Sequence, residues 1–187
     1  MPVVELTLIE GYDAETRTRL GERLTDAVRT VIAAPLDGVT VAIHEVKAES
    51  YMRGRQQRQP GKPLADPVDL VRAFLAAMEA RDLDGARGFL ADDFRMSFPG
   101  GAEFGRLEQL VEWARERYRF VRKTYDRFDV TADADGPVVY CFGTLSGEWL
   151  DGAAFSGIRF IDRFAIRDGL LADQKVWNDL AESGRRE

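Results

Sequence analysis

Apolar and polar positions change their period along the chain, and those changes divide it. In residues 3–9, VVELTLI, they alternate. Val4, Leu6 and Leu8 fall on one face, and Val3, Glu5, Thr7 and Ile9 on the other, which predicts a strand. GYDAET reads as a turn with Asp13 as a helix N-cap. A helix is predicted from about Ala14 to about Ala33, because Leu20, Leu24, Ala27, Val28, Val31 and Ile32 recur at spacings of three and four. APLDG ends it, and VTVAIHEV returns to strand alternation. Two parallel strands joined by a helix form a β-α-β unit with a right-handed crossover. A unit below about 60 residues buries little apolar surface by itself. It is expected to pair with copies of itself or to pack on the next domain.

The stretch from Met52 to Pro67 breaks the pattern with three prolines, two glycines and four basic residues, and reads as loop and linker. Beyond it, DPVDLVRAFLAAMEARD predicts an amphipathic helix with Pro67 near its start. LDGARGFLADDF predicts a short second helix, FRMSFPGG a strand ending in a turn, and LEQLVEWARERYRFV a third helix. YDRFDVTADAD, PVVYCFGTLSGEWL and AAFSGIRFIDRFAIRDG follow as strands. The last turns at Arg167–Gly169 into LLADQKVWND, a strong hairpin signal. Helices followed by a meandering antiparallel sheet predict an α+β layer structure. The expected organisation is a first domain over 1–54, a linker over 55–66 and a second domain over 67–187.

Composition narrows the function classes. The 187 residues are 45% hydrophobic and 31% charged, as in an ordinary globular chain. A net charge of −6 offers no basic field for nucleic acid. Apolar runs are too short to span a membrane, and the N-terminus lacks the pattern of a secretory signal. One cysteine, Cys141, allows no internal disulfide and fits a reducing cytoplasm. With one histidine, His44, a zinc cluster is not expected, and no Ser-His-Asp set is readable. No cofactor is expected; a small-molecule substrate is.

Two groups carry candidate chemistry. Pro2 follows the initiator methionine. As a strand's first residue it is tolerated without any function. If Met1 is trimmed, it becomes a secondary amine, a compact base whose pKa falls towards neutrality between apolar walls. The second group is Asp162. Phe160, Asp162, Phe164 and Ile166 share one strand phase, so the carboxyl points inward among apolar rings. Buried there, it either finds a partner, such as an arginine or a backbone N–H, or holds its proton.

PVVELTLIEG, the helix, APL, VTVAIHEV and an aromatic before a glycine together resemble the 4-oxalocrotonate tautomerase family over about residues 2–54. The resemblance implies that Pro2 is a general base shuttling a proton between carbons of an enolisable carbonyl compound. It also implies that active sites form between copies, hence a homo-oligomer. Two arginines of that family are replaced here: the one just after EG by Tyr12, and the one opening the second strand by Thr40. The pocket aromatic is kept in kind as Tyr51. Loss of both arginines argues against the usual dicarboxylate-type substrate, since the guanidinium fork matches two carboxylate oxygens. Arg53 and Arg55 lie close by, either as substitutes or as exposed linker charge.

VRAFLAAMEARDLDGARGFLADDFRMSFPGG and RFIDRFAIRDGLLADQKVWND resemble the nuclear-transport-factor-2-like superfamily over about residues 66–183. That superfamily includes ketosteroid isomerases, SnoaL-type polyketide cyclases and many non-enzymes. A cone-shaped cavity is implied. The isomerase tyrosine aligns with Phe74 and the isomerase base with Phe98, so a steroid-type shift is not expected. Asp162 stands at its matched place, as the neutral acid of an isomerase or the acid/base of a SnoaL-type cyclase. Tyr140, Trp149, Phe160 and Trp177 are further candidates for contact with a flat apolar ligand. The combined expectation is a cofactor-independent tautomerase, isomerase or cyclase acting next to a carbonyl. Natural-product biosynthesis is a sensible setting. The alternative is a non-catalytic binder of a hydrophobic ligand, with the tautomerase-like unit as oligomerisation scaffold.

Overall fold

A computed structural model describes residues 1–183. The chain forms two compact units, the first over Met1–Pro63 and the second beginning at Leu64. Among the described residues no helix is long and apolar enough to cross a membrane.

In the first unit β1 (Val3–Ile9) pairs in parallel with β2 (Thr40–Val46), in register from Val3 opposite Thr40 to Ile9 opposite Val46. Between them runs α1 (Ala14–Arg29), capped by Asp13, whose Oδ1 accepts from the Thr16 N–H at 2.8 Å. That N–H holds the Asp13 carboxyl below its usual pKa. The helix stops short of the expected Ala33. Thr30 closes it, donating its hydroxyl to the Ala27 carbonyl at 2.7 Å. The β-branched Val31 and Ile32 that follow are exposed and gain no packing from further helix. Among the described residues of this unit, Ile9 is the one large apolar side chain that is buried. The stretch read as loop and linker contains a minimal hairpin, β3 (Met52–Arg53) with β4 (Gln56–Gln57).

The second unit begins with α2 (Pro67–Glu79), Pro67 in its first turn and the Asp66 carboxylate accepting from the Val68 N–H at 2.8 Å. Next come α3 (Leu83–Arg87), β5 (Leu90–Phe98), β6 (Ala102–Phe104), α4 (Leu107–Arg115), β7 (Tyr118–Ala132), β8 (Pro137–Trp149), β9 (Ala154–Arg167), β10 (Leu170–Asn178) and α5 (Leu180–Ser183). The strands form one six-stranded sheet in the order β6-β5-β10-β9-β8-β7. It is mixed rather than wholly antiparallel, because β5 and β10 pair in parallel. The β9–β10 hairpin turns on Asp168 (φ 53) and Gly169 (φ 79), two positive-φ positions as a tight hairpin of this type requires.

Two predicted helices proved too long. The second ends at Arg87, and LADDF belongs to β5. The third ends at Arg115, and YRFV opens β7. There Val121, Lys123 and Tyr125 alternate with more exposed residues, and the two-residue period wins over the helical one. Val71 and Phe74 of α2, Leu107 of α4 and the inward phases of β5, β8, β9 and β10 form one buried core.

Candidate active site

The core is not filled to the end of the sheet. Between α2, α4 and the concave face lies a cavity of about 240 Å³. Phe74 and Met78 reach it from α2, Trp113 from α4, Phe98 from β5, Tyr125 from β7 and Phe160 from β9. The rings brace one another. Phe98 and Trp113 lie 5.6 Å apart and Tyr125 meets Phe160 edge-on at 5.9 Å.

Besides the half-buried Tyr118 and Asn178, three polar groups enter this apolar space. The first is Lys123 on β7, which lines the cavity. Its ammonium donates to Asp162 Oδ2 and sits 4.6 Å from the centroid of the Phe160 ring. Sheet register explains its reach. Asp162 lies opposite Cys141, Phe160 opposite Gly143 and Ile158 opposite Leu145, while Tyr125 is opposite Gly143 and Lys123 opposite Leu145. Lys123 and Asp162 are therefore separated by the row containing Gly143, which has no side chain to block a long one. A Cβ at Gly143 would stand 3.0 Å from Phe160 Cε1 and run into the Thr124 carbonyl.

Asp162 itself has no solvent exposure, and its Oδ1 has no hydrogen-bond partner. The Lys123 side chain is 23% exposed. The expected inward-pointing acid is thus buried, but its partner is a lysine rather than an arginine or backbone N–H, and it stands behind Lys123 rather than on the cavity wall. The second polar group is Gln174 on β10, buried, with Oε1 unpartnered. The third is the Tyr125 phenol. Burial, followed by the nearby Asp162 charge, raises its pKa, so it remains a donor at neutral pH. Cys141 is buried beside Asp162 in the sheet, and burial then the Asp162 charge push its thiol up to about 12.

The other expected residues are divided. Phe74, Phe98 and Phe160 lie in the cavity wall. Trp149 does not; it packs on Phe155 at 4.8 Å and Tyr118 at 5.5 Å. Tyr140 is opposite Arg163 and Asp129, in the phase away from the cavity, and Trp177 is half exposed opposite Ile161. In the first unit Pro2 is half-buried, and its carbonyl accepts from the Thr40 N–H at 3.1 Å. Pro2 lines a separate, open cleft with Met1, residues 32–35, Asp37 and Gly38. Tyr12, Thr40, Tyr51 and Arg53 are not in that cleft's wall; Thr40, Tyr51 and Arg53 are exposed, and Tyr12 faces Gly61. The chain does not gather the tautomerase-like set by itself.

Lys123 and Gln174 were missed from the sequence. ARERYRFVRK reads as a wet helix face. A β-bulge between Tyr125 and Arg127 shifts the phase of β7, and another between Leu171 and Asp173 shifts β10 before Gln174. The available signal was a lysine in phase with Val121 and Tyr125.

The family model described as a SnoaL-like domain matches residues 71–174, over half of the chain. The chain belongs to the SnoaL-like family. Ahead of this SnoaL-like domain, residues 2–56 match the family model described as Tautomerase enzyme, giving a fused architecture. Solved structures share the fold of the SnoaL-like domain. An NTF2-like protein of unknown function from Burkholderia pseudomallei K96243 is 19% identical with a TM-score of 0.54, covering 64% of this chain and 95% of its own. An NTF2-like protein from Burkholderia thailandensis E264 is 17% identical at 0.53, covering 64% and 98%. TerC, co-crystallised with polyporic acid, is 18% identical at 0.53, covering 62% and 93%. No curated protein matches the sequence.

Proposed function

We propose that the SnoaL-like domain is a cofactor-independent proton-transfer enzyme acting next to a carbonyl of a largely apolar small molecule. An isomerase or aldol-type cyclase is meant, with polyketide-like natural products a fitting substrate class. The two family matches support an isomerase or cyclase-type role. The observation that carries the reading is the Lys123–Asp162 pair: a fully buried carboxylate with a free lone-pair oxygen, bonded to an ammonium that faces an aromatic cavity.

Within the pair, a proton moving from Lys123 to Asp162 leaves a neutral amine beside the substrate. That amine takes the proton from the carbon next to the carbonyl. The C–H electron pair becomes the enolate, which the re-formed ammonium faces. The net proton acceptor is Asp162, and Lys123 is both relay and counter-charge. Tyr125 supplies a further O–H donor. Return of the proton to another carbon completes an isomerisation; in a cyclisation the enolate carbon attacks a second carbonyl, and the alkoxide so formed takes the proton back from the Lys123–Asp162 pair.

Pro2 is the second candidate base. Behind Met1 its nitrogen is an amide without a basic lone pair; after Met1 removal it is a secondary amine. Intact mass decides which form exists. Solvent deuterium uptake next to the carbonyl of a phenylpyruvate then compares wild type with Asp162→Asn, Lys123→Met and Pro2→Ala. The cavity reading expects a loss of at least about 100-fold in the first two, from general-base contributions of that order, and near wild-type exchange in Pro2→Ala. Equal rates in all four leave a binding protein.

A second reading is favoured by the exposed Val3, Val31, Ile32 and Leu36 of the first unit. On this reading the tautomerase-like unit is an oligomerisation scaffold, and the cavity binds a hydrophobic ligand without turnover.

A further inference from the structure

The mouth of the cavity carries charge of nearly one sign. Arg81, Arg115, Arg119 and Arg122 line it, against one carboxylate, Glu79, and all five are exposed. The chain as a whole is acidic, with a net charge of −6, so the cluster runs against the background. Two of the four cations are engaged. Arg119 donates to Glu148 Oε1 at 2.5 Å, and the Arg122 guanidinium lies 5.8 Å from the Phe120 ring centroid. The side chains of Arg81 and Arg115 have no partner among the described residues.

Arg115 stands in the last turn of α4, where a cation is favoured by the helix dipole whatever else it does. Arg81 has no such explanation. It sits just past the end of α2 with φ 62, in the left-handed region. Its N–H donates to the Met78 carbonyl at 3.2 Å, and the Asp82 N–H donates to the Ala77 carbonyl at 2.9 Å. This is the helix-ending motif whose left-handed position is normally glycine, because a Cβ is strained there. An arginine keeps the strain and gains a guanidinium at the mouth. Strain held where a side chain faces a cavity points to a role for that side chain.

The interior supplies the complementary half. Its ammonium, Lys123, is already neutralised by Asp162, so a ligand's negative charge finds its unmatched partners at the mouth. The interior otherwise offers aromatic faces, the phenols of Tyr118 and Tyr125 and the amides of Gln174 and Asn178.

We infer that the cavity takes a flat aromatic acid, its ring system against Phe98, Trp113 and Phe160 and its carboxylate held at the mouth by Arg81 and Arg115. This rests on the reading of the cavity as a substrate site and specifies the substrate's chemical class. The acid group is a handle remote from the reacting carbon, so it positions the substrate without entering the proton transfer.

Calorimetric titration of the full-length protein with 2-naphthoate and with its neutral isostere 2-naphthamide tests this directly. The wild type is expected to bind the acid at least about tenfold tighter at low salt, as expected of charge-assisted hydrogen bonds. Salt should erode the preference. Arg81→Gly and Arg115→Gln should each lower the ratio several-fold, and the double variant should bring it close to one. Arg81→Gly should also melt a few degrees higher than wild type, which separates loss of recognition from loss of fold. Equal binding of acid and amide by the wild type overturns the inference, as does failure to bind either. A ratio unchanged in the double variant, or abolished only in Lys123→Met, also overturns it, because the anion would then sit elsewhere. The measurement needs no turnover. Absent deuterium exchange with an intact naphthoate preference therefore refutes the chemistry alone, and exchange without the preference refutes this inference alone.

Discussion

The two units use the same sequence device with opposite results. In β1, Val4, Leu6 and Leu8 alternate with Val3, Glu5 and Thr7; in β9, Ile158, Phe160, Asp162, Phe164 and Ile166 alternate with exposed or half-exposed residues. The β9 phase is buried, including its carboxylate, while the β1 phase is only half-buried. The difference lies in what covers the strands. A two-stranded sheet with one helix has too little surface to dry either face, whereas six strands under α2 and α4 enclose a core. The second unit thus holds a carboxylate, Asp162, in a dry setting. A proline amine in the first needs further cover before its surroundings are apolar, and the exposed Val3, Val31 and Ile32 show where apolar surface for such cover lies.

The sharpest way to break this contrast is to separate the units. A chain starting at Leu64 is expected to unfold in urea as one cooperative transition. Residues 1–63 alone, at low micromolar concentration, are expected to show no such transition. A cooperative monomeric transition for the first fragment would mean that half-buried faces suffice, and the contrast in burial would lose its energetic meaning.

Next in size is the charge pair. Lys123→Met leaves Asp162 without its counter-charge and is expected to cost about 3 kcal/mol at neutral pH, the scale for breaking a buried pair. Asp162→Asn should cost less, about 1–2 kcal/mol, since the partly exposed Lys123 can turn towards water. Replacing both, as Lys123→Met with Asp162→Leu, should recover most of the loss. Urea midpoints at pH 7 measure all three. A Lys123→Met cost below about 1 kcal/mol would show that water already reaches the carboxylate.

These residues also show what a sequence can and cannot disclose. Both domain resemblances, the parallel β-α-β unit, the Asp13 cap and the Arg167–Gly169 hairpin are local signals, and local signals survive in a string of letters. Asp162 was visible as a misfit in an apolar phase. Its partner was not, because Lys123 is 39 residues away and joins it only through the register of β7 on β8 on β9. The bulges in β7 and β10 hid Lys123 and Gln174 further, since each breaks the alternation that marks an inward phase. Tyr140 and Trp177 erred the other way: both are aromatic, but phase places them on the far side of the sheet. Arg81 was hidden for another reason. Nothing in EARDLDG announces that the helix ends with a left-handed arginine.

The smallest effect separates the units by pH. In the first unit Asp13 is held below its ordinary pKa of 3.8 by the Thr16 N–H, so its contribution is present above that value and is lost as pH falls. In the second unit the shift has the opposite sign. The Cys141 thiol is raised from 9.0 to about 12, because burial disfavours the thiolate. Below about pH 9 both folded and unfolded chains carry the neutral thiol. Between pH 9 and about 12 the unfolded chain ionises and the folded one does not, so stability declines as pH rises through that window. The slope from one such group is at most about 1.4 kcal/mol per pH unit. The half-buried Tyr125 phenol acts in the same direction at higher pH. Urea midpoints of wild type and Cys141→Ala at pH 8 and pH 10 isolate the thiol: the wild type should lose more than the variant between the two. In parallel, iodoacetamide at pH 8 should label Cys141 in the urea-unfolded chain and leave the native one intact. Rapid native labelling would mean that water and reagent reach the Cys141–Asp162 row of the sheet, and the dry environment that distinguishes the second unit from the first would not exist.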